Sequence, residues 1–211
     1  MITLGVIGII AAMTLPSLIQ RNNNKVVETR LKKFYTSINQ AILMAEKDYG
    51  DKKYWYQDVT NTTQKDEDGN FIKGSNKAEL WFNQYLAPYL NILRSETLND
   101  GTFVVYFPDG SALQPVDHTT RDWNFYPGSL EKCRKKYKPI TNAYGICVFP
   151  FIFYPTGTNE DWQYHYNKGM EPYKYRMHKI NDLYSNKFYS TAVIQMNNWS
   201  VPKQYRFKIS Y

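Results

Sequence analysis

The chain has 211 residues and a formal charge of +7, from 26 Lys and Arg against 19 Asp and Glu. This excess is mild, and its densest local run is only Lys132, Arg134, Lys135, Lys136 and Lys138; no nucleic-acid partner is expected. One apolar run of membrane-spanning length followed by about 190 more polar residues excludes a multi-span membrane protein and leaves enough chain for one domain with its own core.

Met1 to Ile19 carry no charge and no amide; the only polar side chains are Thr3, Thr14 and Ser17. As a helix the run spans about 28 Å, close to a hydrocarbon core of roughly 30 Å. Ile2, Leu4, Gly5, Val6, Ile7, Gly8, Ile9, Ile10, Ala11, Ala12, Met13, Leu15, Pro16, Leu18 and Ile19 are therefore the candidate membrane and assembly residues. Gly8 and Ala12 lie one turn apart, with Gly5 and Ala11 near the same side, which suits close helix–helix approach. Two readings compete. A cleaved signal peptide would want a basic start and a small-residue cleavage site, and Ala11-Ala12-Met13 does not fit one. A buried core helix would have to be apolar on every face along the whole run, which is long for a soluble domain.

Beyond Gln20 the pattern becomes one-sided. Val27, Leu31, Phe34, Ile38, Ala41 with Ile42, Ala45 and Tyr49 recur at steps of three and four, while Lys25, Glu28, Lys32, Lys33 and Glu46 fall off that stripe. This predicts an amphipathic continuation of the same helix, ended by Gly50 and bent at Pro16. The chain divides into an apolar helix half (1–20), an amphipathic half (21–50) and a globular α+β domain (51–211).

In the body, residues 51–75 are polar, and Asn61 to Asn70 read as a loop or hairpin tip. Asp66, Asp68 and Asn70 carry oxygens suited to calcium, but the distal glutamate of a full loop is missing; a polar turn is expected there, and no metal site is assigned. Asn61-Thr62-Thr63 and Asn198-Trp199-Ser200 match the glycosylation sequon. A second helix is predicted from Asn76, with Glu79 as capping partner, Leu80, Phe82, Tyr85, Leu86, Tyr89, Leu90 and Leu93 as its apolar side, and Pro88 shortening it. Thr102–Phe107 and Ser111–Val116 read as strands joined at Pro108-Asp109-Gly110, after a turn at Asn99-Asp100-Gly101. Ile146–Tyr154 reads as a strand placed at an edge, or broken, by Pro150. Residues 155–181 read as irregular, Lys187–Met196 as a short helix and Gln204–Ser210 as a last strand. Cys133 and Cys147 are even in number in a body expected beyond a membrane, so a disulfide is favoured over two free thiols. Their spacing to each other and to histidine argues against metal binding. His118, His165 and His178 belong to no catalytic motif, and Asp117-His118 is a triad fragment of the sort any chain offers. No catalytic residues, no enzymatic activity and no cofactor are expected.

The run Ile2 to Ile19 resembles the N-terminal helix of type IV pilins and type II secretion pseudopilins, with Pro16 matching the proline at the end of that helix. The segment Ser190-Thr191-Ala192-Val193-Ile194-Gln195-Met196-Asn197-Asn198-Trp199 is similar to the tails of some pilin-like proteins. The family has a leader ending in glycine, then an N-methylated phenylalanine in Phe-Thr-Leu-x-Glu. Aligned on Pro16, this sequence begins inside that helix, so a shortened or misplaced start is the expectation. The resemblance implies a long kinked N-terminal helix packed on a domain with an antiparallel β-sheet. It implies a filament subunit of a bacterial pilus or pseudopilus, held in the inner membrane before assembly with its body outside the cytoplasm. The implied partners are other pilin-like subunits, the lipid bilayer and the inner-membrane assembly machinery. The alternative is a membrane-tethered binding protein that does not polymerise, using the aromatics of Trp123–Tyr126 or Trp162–Tyr166 to contact a glycan or protein.

Overall fold

The computed structural model describes the backbone of residues 2–116 and 119–211. The side chains of residues 2–11 and 119 lie outside that description, as do Asp117 and His118. Helix α1 runs from Ile2 to Tyr49 without interruption at Pro16. Gly50 ends it at φ +82°, in the left-handed region that glycine enters without penalty, and its N–H donates to the Glu46 carbonyl at 2.9 Å. The predicted stripe is the buried one: Val27, Leu31, Phe34, Ile38, Ala41, Ile42 and Ala45 are all in the core. Tyr49 departs from it. Its ring stays exposed, edge-on to Tyr85, and its hydroxyl donates to the Gln84 carbonyl at 3.2 Å.

Helix α2 (Lys52–Trp55) and helix α3 (Lys77–Tyr85) follow. The Asn76 side chain caps α3 by accepting from the Glu79 N–H at 3.1 Å. The buried side of α3 is Ala78, Trp81 and Phe82, continued by Leu86, whereas Leu80 and Leu93 are exposed. Most of the predicted apolar side therefore packs as read, with Tyr85, Tyr89 and Leu90 partly buried against the same core; Leu80 and Leu93 fall off it, and Ala78 and Trp81 take their place at the i, i+3, i+4 spacing of 78, 81 and 82. Pro88 lies in a single 3-10 turn, Ala87–Tyr89.

Six antiparallel strands stand in chain order: β1 Arg94–Thr97, β2 Phe103–Tyr106, β3 Ala112–Val116, β4 Thr119–Tyr126, β5 Phe149–Ile152 and β6 Glu171–Pro172. The register carries one row across the sheet, Val105 to Leu113 to Phe125 to Phe149. That face packs on the α1 stripe with Trp81, Phe82, Trp123 and Phe151. The opposite face presents Val104, Tyr106, Ala112 and Tyr126 to Leu130 and Cys133 of helix α4 (Leu130–Lys136) and to Tyr144, Cys147 and Val148. Cys133 and Cys147 form a disulfide there, with Cα atoms 6.0 Å apart. Both sheet faces are covered, so β2 reads as a continuous apolar run instead of an alternating one.

Two expectations are corrected, those for the strand at Pro150 and for Gln204–Ser210, and the structure adds two features that the sequence left open. β5 is not an edge strand: it pairs with β4 and β6, and the Pro150 carbonyl accepts from the Tyr173 N–H at 3.2 Å. Gln204–Ser210 is not a strand. Its backbone is used elsewhere, with the Ser210 N–H donating to Ile146 O at 3.0 Å and Ile209 O accepting from Gln20 and Asn23 of α1. The basic run at 132–136 is a capped helix, with Ser129 Oγ accepting from the Lys132 N–H. Asn61 is fully buried, its amide bonded to Phe103 O and Pro115 O, so that sequon is closed to a glycan.

Close approach holds α1 to the far end of the sheet. Asn39 Nδ2 donates to Tyr35 O and Met170 O, each at 2.9 Å, and a Cβ on Gly169 would lie 1.9 Å from Asn39 Oδ1. Gly169→Ala must displace Asn39 from both carbonyls. A loss of about 1–3 kcal/mol is expected, read as a lower urea midpoint at unchanged slope.

Candidate functional site

Two features stand apart from the core. The first is the free half of α1. From Ala12 to Ile19 every side chain is exposed, including Met13 (75%), Leu15 (53%), Leu18 (63%) and Ile19 (58%). Ile2, Leu4, Gly5, Val6, Ile7, Gly8, Ile9, Ile10 and Ala11 continue the same helix, their side chains outside the description. Contact with the body begins at Gln20, whose Nε2 donates to Ile209 O at 3.1 Å. A cleft of about 420 Å³ opens at that exit, between Pro16, Ile19 and Asn23 on the helix and Tyr137, Ile146 and Lys208 on the body. Lower down, Glu28 Oε1 accepts from the Val201 N–H at 2.7 Å, and Arg30 donates to Pro127 O. The helix is fixed by its second half and uncovered from Ala12 to Ile19. Among the described residues no helix is long and apolar enough to cross a membrane.

The second feature is a buried polar cluster where α1, β6 and helix α5 (Ser190–Met196) meet. Glu171 accepts from Tyr35 Oη at 2.8 Å, from Gln195 Nε2 at 3.3 Å and from Tyr164 Oη at 3.4 Å. Lys174 Nζ donates to Tyr164 Oη at 2.5 Å and to Gln195 Oε1 at 2.7 Å. Glu171 and Lys174 are both buried. Burial pushes the Lys174 amine down to about 8, against the opposing pull of Glu171. Burial, then the Glu171 carboxylate, raises Tyr164 to about 12. His165 beside them is wholly buried, and neither ring nitrogen has a hydrogen-bond partner among the described residues.

The apolar helix residues are thus brought together along one rod, and the two cysteines are bonded. Asp66, Asp68 and Asn70 form an ordinary turn in which Asp66 Oδ1 accepts from the Asn70 N–H at 2.8 Å. Among the described residues no three His, Cys, Asp or Glu side chains are grouped to hold a metal. The aromatics of Trp123–Tyr126 cannot contact a ligand, because Trp123, Phe125 and Tyr126 are core. In Trp162–Tyr166, Tyr164 and Tyr166 are partly open, while Trp162 lies against Tyr175 at 4.5 Å and the Arg121 guanidinium at 4.7 Å. The Glu171–Lys174–Gln195 cluster was not foreseen. Only Gln195 drew notice in the sequence, as part of the tail, and no local pattern joins it to the other two.

A family model described as "Family of unknown function (DUF6613)" matches residues 17–209. No curated protein and no solved structure matches the chain.

Proposed function

The chain belongs to DUF6613, a family of unknown function, and from its architecture we propose that it is a structural subunit of a filament of the type IV pilus or type II secretion pseudopilus kind. The observation that carries this reading is the division of α1. Its second half is seated on an antiparallel sheet by a buried stripe, while Ala12 to Ile19 present apolar side chains with no cover. A helix can satisfy its backbone internally in lipid, and small residues let it nest against copies of itself. The same rod therefore serves as an inner-membrane anchor before assembly and as the filament core after it. The body faces outward from the cytoplasm, and the assembly machinery of the inner membrane moves subunits from one state to the other. No substrate is turned over.

The test uses the protein made from its own gene in its own cells. Ala12→Cys and Ser17→Cys variants are treated with a short thiol cross-linker, then membranes and sheared surface material are separated. Ladders of cross-linked chain in both fractions are expected. Ile10→Lys, which costs about 3 kcal/mol of insertion near the middle of an apolar span, should deplete the membrane pool at least tenfold. A chain recovered soluble and monomeric, or clipped beyond Ile19, overturns the reading.

A further inference from the structure

We propose that Lys174 and Gln195 become joined by an intramolecular isopeptide bond, with Glu171 as the proton carrier for the reaction. The amide of Gln195 sits between the other two groups: its Oε1 accepts from Lys174 Nζ at 2.7 Å and its Nε2 donates to Glu171 Oε2 at 3.3 Å. An amine and a carboxylate that each contact the same carboxamide, and are linked to each other through the Tyr164 hydroxyl, are the complete reactant set for transamidation. Nucleophile, carbon centre and base are held together before reaction, which removes most of the entropic barrier to bringing them there.

The surroundings favour the chemistry. Lys174 makes its hydrogen bonds to two neutral oxygens, the Tyr164 hydroxyl and the Gln195 amide. Lys52, the other buried lysine, instead forms a direct ion pair with Glu46 at 2.8 Å and contacts no amide. Burial lowers the Lys174 amine to about 8, so a useful fraction is neutral and nucleophilic at mildly alkaline pH. Tyr35 holds the second oxygen of Glu171 at 2.8 Å, and the Trp199 ring lies 4.9 Å from Tyr35.

The step balances without an oxidant or a co-reactant. A rotation of the Gln195 amide about its last bond turns its face to Nζ, and the Nζ lone pair forms a bond to Cδ. Tyr164 Oη, which accepts from Nζ and donates to Glu171, relays a proton from Nζ to the carboxylate, and Glu171 delivers it to Nε2. The Cδ–Nε2 bond breaks and ammonia leaves, carrying away the remaining proton of the original lysine ammonium as ammonium. The product is a secondary amide in place of a primary one.

The bond would fall where side-chain contacts such as Arg176 and Lys179 with Asp161 are the ties, and the sheet supplies none. Between Lys174 and Gln195 the chain forms two 3-10 turns and the start of α5, with no strand pairing. The disulfide closes the segment on the opposite sheet face. An isopeptide at this position would close the remaining long irregular segment, which would resist unravelling under tension along a filament. The proposal does not depend on the filament reading.

Full-length protein purified from cells and aged at about pH 8.5, near the lowered amine value, is digested and mapped by tandem mass spectrometry. The expected product is a branched peptide joining the segments that contain Lys174 and Gln195, lighter than their sum by one ammonia beyond the peptide-bond count. Lys174→Met and Gln195→Leu should show only linear peptides. Glu171→Gln retains amine and amide and should form the branch at least tenfold more slowly. Linear peptides carrying unmodified Lys174 and Gln195 from the aged native chain overturn the proposal, as does an ammonia loss that maps elsewhere. A Glu171→Gln variant that forms the branch at the native rate overturns the role given to the carboxylate.

Discussion

Phe34→Ala is expected to cost the body about 3–5 kcal/mol, a large share of the 5–15 kcal/mol that holds a domain folded. The ring is the seat of α1 on β4 and β5. It stacks on Phe125 with centroids 4.3 Å apart and planes at 15°, meets Phe151 edge-on at 5.0 Å and touches Phe107 at 6.2 Å. Truncation leaves a cavity bounded by strand side chains that are themselves fixed by the register Phe125 to Phe149 and Trp123 to Phe151, so collapse into the space is limited. Leu43→Ala on the same helix is the control. Leu43 is 64% exposed, and its loss should stay within about 0.5 kcal/mol. Thermal unfolding of the full chain in mild detergent should show Phe34→Ala melting roughly 10 °C lower, with Leu43→Ala close to the parent. Equal midpoints for the two variants would mean that the stripe is not what holds the helix.

The consequence reaches beyond stability. α1 is one rod, and the orientation of Ala12 to Ile19 relative to the body is set by how Val27 to Ala45 seat on the sheet. A loosened seat frees the body to swing on the apolar half. Under the filament reading, Phe34→Ala would then lower the yield of long filaments even at temperatures where the body remains folded.

The seat was legible in the sequence because helical periodicity records burial directly: seven of the eight stripe positions read from spacing are in the core, and only Tyr49 is not. The β2–β3 hairpin was legible for a different reason, since Pro108-Asp109-Gly110 allows few conformations. β4 left no such mark. Thr119-Thr120-Arg121-Asp122 opens it with polar residues, and its aromatic end was read as a contact surface although both sheet faces bury it. β1 is a short, polar edge strand whose only signal is its hydrogen-bonded partner β2. The buried cluster was the least legible feature. Tyr35, Tyr164, Glu171, Lys174 and Gln195 come from α1, a 3-10 turn, β6, the segment after β6 and α5, and only the tertiary fold makes them neighbours.

Acidification from pH 6.5 to 4.5 should remove about 2–3 kcal/mol of stability through His165 alone, at roughly 1.4 kcal/mol per pH unit. The imidazole is held down to about 3, first by burial and then by the positive charges of Lys174, Lys168 and Arg121. The rings of Trp162 and Tyr164 lie against it at 5.8 and 5.3 Å and offer no proton acceptor. The sign follows from which state binds the proton. The unfolded chain takes it up below about 6.5 while the folded chain does not, so stability is complete above that value and is lost progressively as pH falls toward 3. Asp100 and Asp109 are also held below the usual carboxylate range and add their own losses only at lower pH, whereas Glu79, raised by burial, acts in the opposite sense. A difference curve between the parent and a non-titrating variant cancels these shared contributions. His165→Phe and His165→Gln should therefore flatten the urea midpoint between pH 6.5 and 4.5, whatever constant offset each substitution adds at pH 7.5. If both variants keep the parent's slope, the acid-sensitive group lies elsewhere and His165 is not buried neutral in the folded chain.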